Sequence, residues 1–253
     1  MLELTGISRA FSGLQALAGV SFAVAPGEIK AVIGPNGAGK TTLFNVVTGV
    51  YPPDTGSIRF RGMPIGGLAA FRVARLGLAR TFQQPQIFRT LTAVENVMLG
   101  RNMHGRAGLF GCGLRLPRAV REERAAQEAA MRCLARVGIA DRAGRIASEL
   151  PLGEQRYLEI ARAMALEPSL LMLDEPAAGL NDSETAALGR LLLRLRDEGL
   201  TILVIEHHMK FVMQVSDSIA VLDFGEKIAD GPPAEIRASP AVIRAYLGDD
   251  GDD

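Results

Sequence analysis

Short runs of consecutive apolar residues alternate with stretches of helical period along most of the chain. Glu28-Ile29-Lys30-Ala31-Val32-Ile33, Leu170-Leu171-Met172-Leu173 and Thr201-Ile202-Leu203-Val204-Ile205 each predict a buried strand. Residues 2–11 and 17–24 contain two further strand-like runs, with Pro26-Gly27 as a turn before the strand at 28–33. Strand character returns at 57–60 and 78–82, and again at 218–223 and 226–230 on either side of Phe224-Gly225. Leu188, Leu191, Leu192 and Leu195 fall at i, i+3, i+4 and i+7, a core-facing helical stripe that Asp182 or Ser183 can cap and Gly199 ends. Residues 119–137 read as a helix, with Ala130, Leu134 and Val137 on one face and Glu128–Arg132 as an i,i+4 pair. Helical character is also expected at 43–47 and 68–76, and in two short runs separated by Pro240. Residues 101–117 are rich in glycine and lack a period, so they predict an irregular surface segment, and Asp249-Asp250-Gly251-Asp252-Asp253 predicts a frayed tail.

Length and composition narrow the class. The 253 residues suffice for one large domain or for a core with a subdomain, and 48% hydrophobic residues supply a packed interior. A formal charge of +0 lacks the electrostatic footprint usual in nucleic-acid binders, so no nucleic-acid partner is expected. No apolar stretch is long enough to cross a bilayer, and Met1-Leu2-Glu3-Leu4-Thr5 is not the start of a signal peptide, which together predict a cytosolic location. Cys112 and Cys133 have no metal-ligand spacing and read as reduced thiols.

The chemistry concentrates where apolar runs end. Gly34-Pro35-Asn36-Gly37-Ala38-Gly39-Lys40-Thr41-Thr42 fits G-x-x-x-x-G-K-[ST] between a strand and a helix. The glycines let successive N–H groups form an anion nest, and the helix N-terminus adds positive partial charge. Lys40 is expected to reach the β- and γ-phosphates of a nucleotide, and the Thr41 hydroxyl to bind Mg²⁺. Asp174 and Glu175 close a buried strand, so they reach the sheet edge where ligands collect. Asp174 is expected to hold Mg²⁺ directly or through water, and Glu175 to take the proton of the attacking water. His207 ends another strand in Glu206-His207-His208 and is placed to touch the γ-phosphate. A metal site made of histidines is disfavoured, because the one further histidine is His104. Gln83 and Gln84 follow a strand, where one amide oxygen can take Mg²⁺ or a water, or both side chains can be solvated loop residues. Phe11 offers either core packing or a face for adenine.

Together these residues resemble an ATP-binding cassette (ABC) ATPase over nearly the whole chain. The phosphate loop alone is shared by many nucleotidases. Leu150-Pro151-Leu152-Gly153-Glu154-Gln155-Arg156 is similar to the more specific signature L-S-G-G-Q-Q-R, with Pro151, Leu152 and Glu154 departing from it. In the family that segment caps the γ-phosphate bound by the opposite subunit. Pro151 has neither the usual Ser hydroxyl nor a backbone N–H, which leaves Gly153, Glu154 and the helix N-terminus for contact. The resemblance further implies Phe11 as the adenine-stacking aromatic, and Gln83 as the glutamine that links nucleotide to the membrane partner. It makes Ala178-Gly179-Leu180-Asn181 the inter-subunit loop and His207 the switch histidine. The implied fold is α/β, of P-loop NTPase type. It has a RecA-like parallel-sheet core, an N-terminal antiparallel β-subdomain and an inserted α-helical subdomain at roughly residues 85–160 of one 253-residue cassette.

Arg80-Thr81-Phe82-Gln83, Ile205-Glu206-His207 and Val242-Ile243-Arg244-Ala245-Tyr246-Leu247-Gly248 look like the LivG-type ATPase of branched-chain amino-acid importers, with a C-terminal tail over roughly 230–253. Importers for urea, amides or other small organic solutes share these features. The resemblance implies ATP and Mg²⁺ as cofactors and two transmembrane permease subunits as partners. It also implies a second ATPase subunit, as a LivF-type heterodimer or a homodimer, and indirectly a solute-binding protein. The expected location is peripheral, on the inner face of the cell membrane. ABC ATPases that act without a permease, and nucleotide-binding regulators that barely hydrolyse, are the other classes considered. A single cassette without coiled-coil insertions weighs against the first, and Asp174, Glu175 and His207 weigh against the second.

Overall fold

The computed structural model describes residues 1–101 and 117–247. The irregular segment expected over 101–117 keeps only its two end residues, each helical, within that range. The rest of it, with His104, Cys112, Gly248 and the acidic tail, lies outside the described residues. The chain divides into two compact units, Met1–Arg80 with Ser169–Asp253, and Thr81–Pro168.

The first unit holds two sheets. Strands β1 (Leu2–Phe11), β2 (Leu14–Val24), β4 (Thr55–Phe60) and β5 (Met63–Pro64) form an antiparallel sheet in the order β2-β1-β4-β5. Strands β3 (Ile29–Ile33), β6 (Leu78–Arg80), β7 (Leu170–Asp174), β8 (Thr201–Ile205), β9 (Ser218–Asp223) and β10 (Glu226–Gly231) form the other, in the order β10-β9-β3-β8-β7-β6. Its neighbours are parallel from β9 to β6, and β10 joins as an antiparallel hairpin edge. This is the α/β arrangement with an antiparallel N-terminal sheet that the sequence predicted. Every residue of β3, β7 and β8 is buried, which is why these strands read as largely apolar runs, polar only at Lys30, Asp174 and Thr201, rather than as alternating ones. Each fully buried aliphatic side chain among them contributes roughly 1.5–3 kcal/mol.

Several boundaries differ from the sequence expectations for local reasons. Strand β2 starts at Leu14 rather than at 17, because Ser12 and Gly13 both take positive φ (48° and 90°) and close a two-residue hairpin that pairs Phe11 with Leu14. Strand β6 stops at Arg80 rather than at 82. The Phe82 N–H leaves the ladder and donates to the Glu159 carboxylate at 3.0 Å, inside the second unit. Helix α1 (Lys40–Val47) begins before 43, directly at Gly39 with φ 96°. Helix α2 (Ala70–Arg75) is shorter than the expected 68–76.

In the second unit, α3 (Ala93–Arg101), α4 (Pro117–Val137) and α5 (Leu152–Met164) pack on one another. Ala130, Leu134 and Val137 are buried as the stripe predicted. Glu128 pairs with Arg124 at 3.3 Å rather than with Arg132, and both side chains are exposed enough for this to matter little. Back in the first unit, α6 (Asp182–Asp197) carries the predicted leucine stripe inward. Its cap is Asn181, not Asp182 or Ser183. The Asn181 side chain accepts from the Glu184 N–H at 3.0 Å, and the Glu184 carboxylate accepts from the Asn181 N–H at 2.9 Å. The Ser183 hydroxyl is instead spent on Asn181 at 2.7 Å. Three more short helices complete the unit, α7 (Met209–Val215), α8 (Pro233–Ala238) and α9 (Pro240–Leu247).

Asn181→Ala removes one half of this reciprocal pair. Thermal denaturation is expected to show a loss of about 1 kcal/mol, a fall in Tm of roughly 2–4 °C. An unchanged Tm would show that Glu184 caps the helix unaided.

Candidate active site

Strand β3 runs into residues 34–39, which wrap over the start of α1. A Cβ on Gly34 would lie 2.1 Å from the Leu222 carbonyl oxygen, and one on Gly39 would lie 2.4 Å from that of Ala16. The loop therefore sits against the backbone on two sides, and only glycine fits at either place. The Lys40 side chain folds back over the loop. Its Nζ donates to the carbonyl oxygens of Gly34 at 2.6 Å and Pro35 at 2.8 Å. Burial pulls the Lys40 pKa below the ordinary lysine value, while the charges of Glu175 and Asp174 pull the other way. A buried ammonium held by two neutral carbonyls can exchange them for an anion, against the repulsion of the two carboxylates within electrostatic reach.

Strands β7 and β8 deliver the acids and the histidine to the same unit. Asp174 is buried at the end of β7 and forms an ion pair with Arg80 at 2.7 Å. Glu175 follows with φ 47°, a left-handed conformation uncommon for a glutamate. Its N–H donates to the Ile205 carbonyl at 2.9 Å, and its own carbonyl accepts from Ala178 N–H at 3.1 Å. His207 Nδ1 lies 3.7 Å from Glu175 Oε1, and the imidazole is largely exposed. A carboxylate and an exposed imidazole thus sit side by side where two parallel strands end.

Two residues of this site were not singled out from sequence. Arg80 is one, and it joins Asp174 to α1. Glu206 is the other. It is 1% exposed, and its carboxylate accepts from the backbone N–H groups of Ala177 at 2.8 Å, His207 at 3.1 Å and His208 at 3.3 Å. It thereby ties the segment after Glu175 to the segment that carries His207, along the wall of a cavity of about 500 Å³. The signal available in the sequence was a charged residue closing an otherwise apolar strand, at Arg80 and again at Glu206.

The remaining expected residues fall elsewhere. Phe11 lies half-buried at the β1–β2 turn, with its ring edge-on to Tyr51 at 5.2 Å and the Arg9 guanidinium 4.8 Å from its centroid. It belongs to a surface aromatic cluster rather than to the core. Gln83, Gly153 and Glu154 belong to the second unit. Gln83 is exposed, just beyond Phe82. Pro151 is the N-cap of α5, Gly153 is buried in its first turn, and Glu154 pairs with Arg142 at 3.1 Å. Within the same helix, burial pushes the Glu159 carboxyl above the usual carboxylate range, while the Phe82 and Gln86 amides, which donate to it, oppose that shift. Glu159 so fastens both flanks of the Gln83 loop to α5. Among the described residues no group of three or more His, Cys, Asp or Glu could hold a metal ion by itself.

Glu206→Gln replaces one acceptor oxygen with an amide N–H that faces backbone N–H groups. Urea denaturation is expected to show a loss of about 1–3 kcal/mol. A change below a few tenths would mean that this carboxylate is not what fastens the two segments.

Comparison with known proteins places these features in a family. The family model described as ABC transporter matches residues 17–178, and that described as Branched-chain amino acid ATP-binding cassette transporter matches residues 226–252. The chain is 46% identical over 250 residues to the high-affinity branched-chain amino acid transport ATP-binding protein BraF of Pseudomonas aeruginosa, covering 98% of each. It is equally similar, with the same coverage, to LivG of Escherichia coli. A probable LivG of Archaeoglobus fulgidus is 35% identical, over 98% of this chain and 95% of its own. Among solved structures, a nucleotide-free ATP-binding cassette from an ABC transporter superposes with a TM-score of 0.86 at 31% identity, covering 98% of this chain and 99% of that one.

Proposed function

The chain belongs to the ABC transporter family as an ATP-binding cassette, and we propose that it is the ATP-hydrolysing subunit of an importer for branched-chain amino acids. The observation that carries this reading is the 46% identity, end to end, to proteins named for that transport, with the branched-chain family match falling on the C-terminal 226–252. The alternative solutes, urea, amides and other small organic molecules, have no comparable support.

In this reading ATP phosphates lie in the loop of residues 34–42. Lys40 exchanges the Gly34 and Pro35 carbonyls for phosphate oxygens, and the loop N–H groups with the α1 N-terminus supply the rest of the anion nest. Phe11 offers its ring to adenine. Thr41 and Asp174 would hold Mg²⁺, which would supply charge neutralisation at the phosphates, and Gln83 is proposed as a further ligand on the family resemblance alone. The Asp174 carboxylate at the end of β7 and the Thr41 hydroxyl in the first turn of α1 are hard oxygen donors of the kind Mg²⁺ takes. Glu175 accepts the proton of the attacking water, and His207 orients Glu175 and meets the γ-phosphate. Glu206 holds the backbones of both segments in register. A second cassette, of LivF type or identical to this one, presents its signature segment to this ATP. In return Gly153 and Glu154 face the second cassette's ATP without the hydroxyl that Pro151 lacks. ATP favours the closed pair over the open one, and that difference in affinity is the free energy available for moving two permease subunits. A solute-binding protein delivers the solute on the far side. In this reading attachment on the inner face of the membrane runs through the permease; no helix among the described residues is long and apolar enough to cross a membrane.

Two measurements test this. Glu175→Gln is expected to keep ATP affinity within a few-fold while turnover in the assembled complex falls by roughly 10²–10⁴. Full turnover would remove Glu175 as the base. Affinity purification of the tagged chain from detergent-solubilised membranes is expected to bring down two multi-spanning proteins and a second cassette. Recovery of the chain alone, or with nucleic acid, would defeat the importer reading.

A further inference from the structure

The mechanism above makes no use of the nearly buried charge that faces Asp174. Arg80 closes β6, next to β7, and its side chain is 9% exposed. Its Nη2 donates to Asp174 Oδ2 at 2.7 Å. Its Nη1 donates to Asn45 Oδ1 at 2.6 Å and Thr48 Oγ1 at 3.3 Å, both on α1, and the guanidinium lies 5.5 Å from the Phe44 ring centroid. The arm is therefore fixed by the same helix that begins at Lys40 and Thr41. A guanidinium anchored on one side can hold a carboxylate on the other in one orientation, as a lysine ammonium cannot.

Arg80 binds one oxygen of Asp174 and neutralises its charge, and that leaves Oδ1 for a metal ion or the water bound to it. A positive charge beside a cation ligand has two opposed effects. It orients the ligand, which favours reaction. It also repels the cation, which weakens binding. From these contacts we infer that Arg80 is a positioning residue of the nucleotide site, and that it sets the site's divalent-cation requirement by holding Oδ2 of Asp174. The inference rests on the reading of Asp174 as the metal-side carboxylate.

The test uses the full-length chain and a fluorescent ATP analogue titrated with Mg²⁺, followed by steady-state ATP turnover at saturating Mg²⁺. Arg80→Gln is expected to bind the analogue at a roughly tenfold lower Mg²⁺ concentration than the wild type. Its turnover is expected to fall by roughly tenfold or more, because the carboxylate is no longer held. Arg80→Lys keeps the charge and loses the fork, so its Mg²⁺ dependence stays within about twofold while turnover still falls. A merely structural arginine would lower the melting temperature and leave the Mg²⁺ midpoint in place. Should Arg80→Gln fail to fold, Asn45→Ala carries the test, since it frees the arm without removing the charge. Slower turnover at an unchanged Mg²⁺ midpoint supports the inference, and wild-type turnover overturns it. An Arg80→Gln midpoint equal to or above the wild-type value also overturns it. If the wild type itself binds the analogue without any dependence on a divalent cation, the reading of Asp174 falls, and the inference with it.

Discussion

The organising constraint of this molecule is the burial of charge where the strands of its parallel sheet end. Lys40, Arg80, Asp174 and Glu206 are all buried or nearly so, and three different devices satisfy them. Lys40 rests on carbonyls, Arg80 on Asp174 and α1, and Glu206 on backbone amides. Such pairs are not a source of stability in themselves. Removing one partner of a buried pair costs about 3–5 kcal/mol, whereas replacing both by apolar groups is often neutral. A chain selected for stability alone could dispense with them. Their presence marks the sheet edge as the place where structure is given over to chemistry, above strands that are buried throughout and mostly apolar.

Much of this was legible in the sequence because the relevant signals are local. The central strands announced themselves as apolar runs, and their charged termini fell at the sheet edge as a parallel topology requires. The leucine stripe of α6 and the apolar face of α4 follow from helical period alone. What escaped notice depends on partners distant in sequence. Arg80 finds Asp174 across 94 positions, and Phe82 leaves its strand for Glu159 across 77. No periodicity encodes such a pairing. The capping of α6 was misplaced by one residue for a related reason: Asn181, Asp182 and Ser183 are all competent caps, and only the reciprocal bond with Glu184 selects among them.

The two units treat the residues between motifs differently. In the first, Glu206 binds amides from two separate segments, so the backbones after β7 and β8 share one anchor. In the second, Glu159 does the same for Phe82 and Gln86, on either side of Gln83. Each is a single buried carboxylate that replaces several loose loop contacts by one charge-assisted cluster. A loop fastened in this way moves with its anchor or not at all. The helix that starts at Leu152 and the loop that carries Gln83 are one mechanical piece on this account.

The left-handed backbone of Glu175 has an evolutionary consequence. Asparagine and glycine occupy that region with far less strain than glutamate. Under the proposed function, mutational drift toward a more stable protein therefore runs against the carboxylate assigned to the reaction. A lineage relieved of the need to hydrolyse ATP has an open path to lose Glu175 early, gaining stability as it does so. The identity of this one residue is thus a gauge of whether a cassette with this backbone is still under selection for turnover.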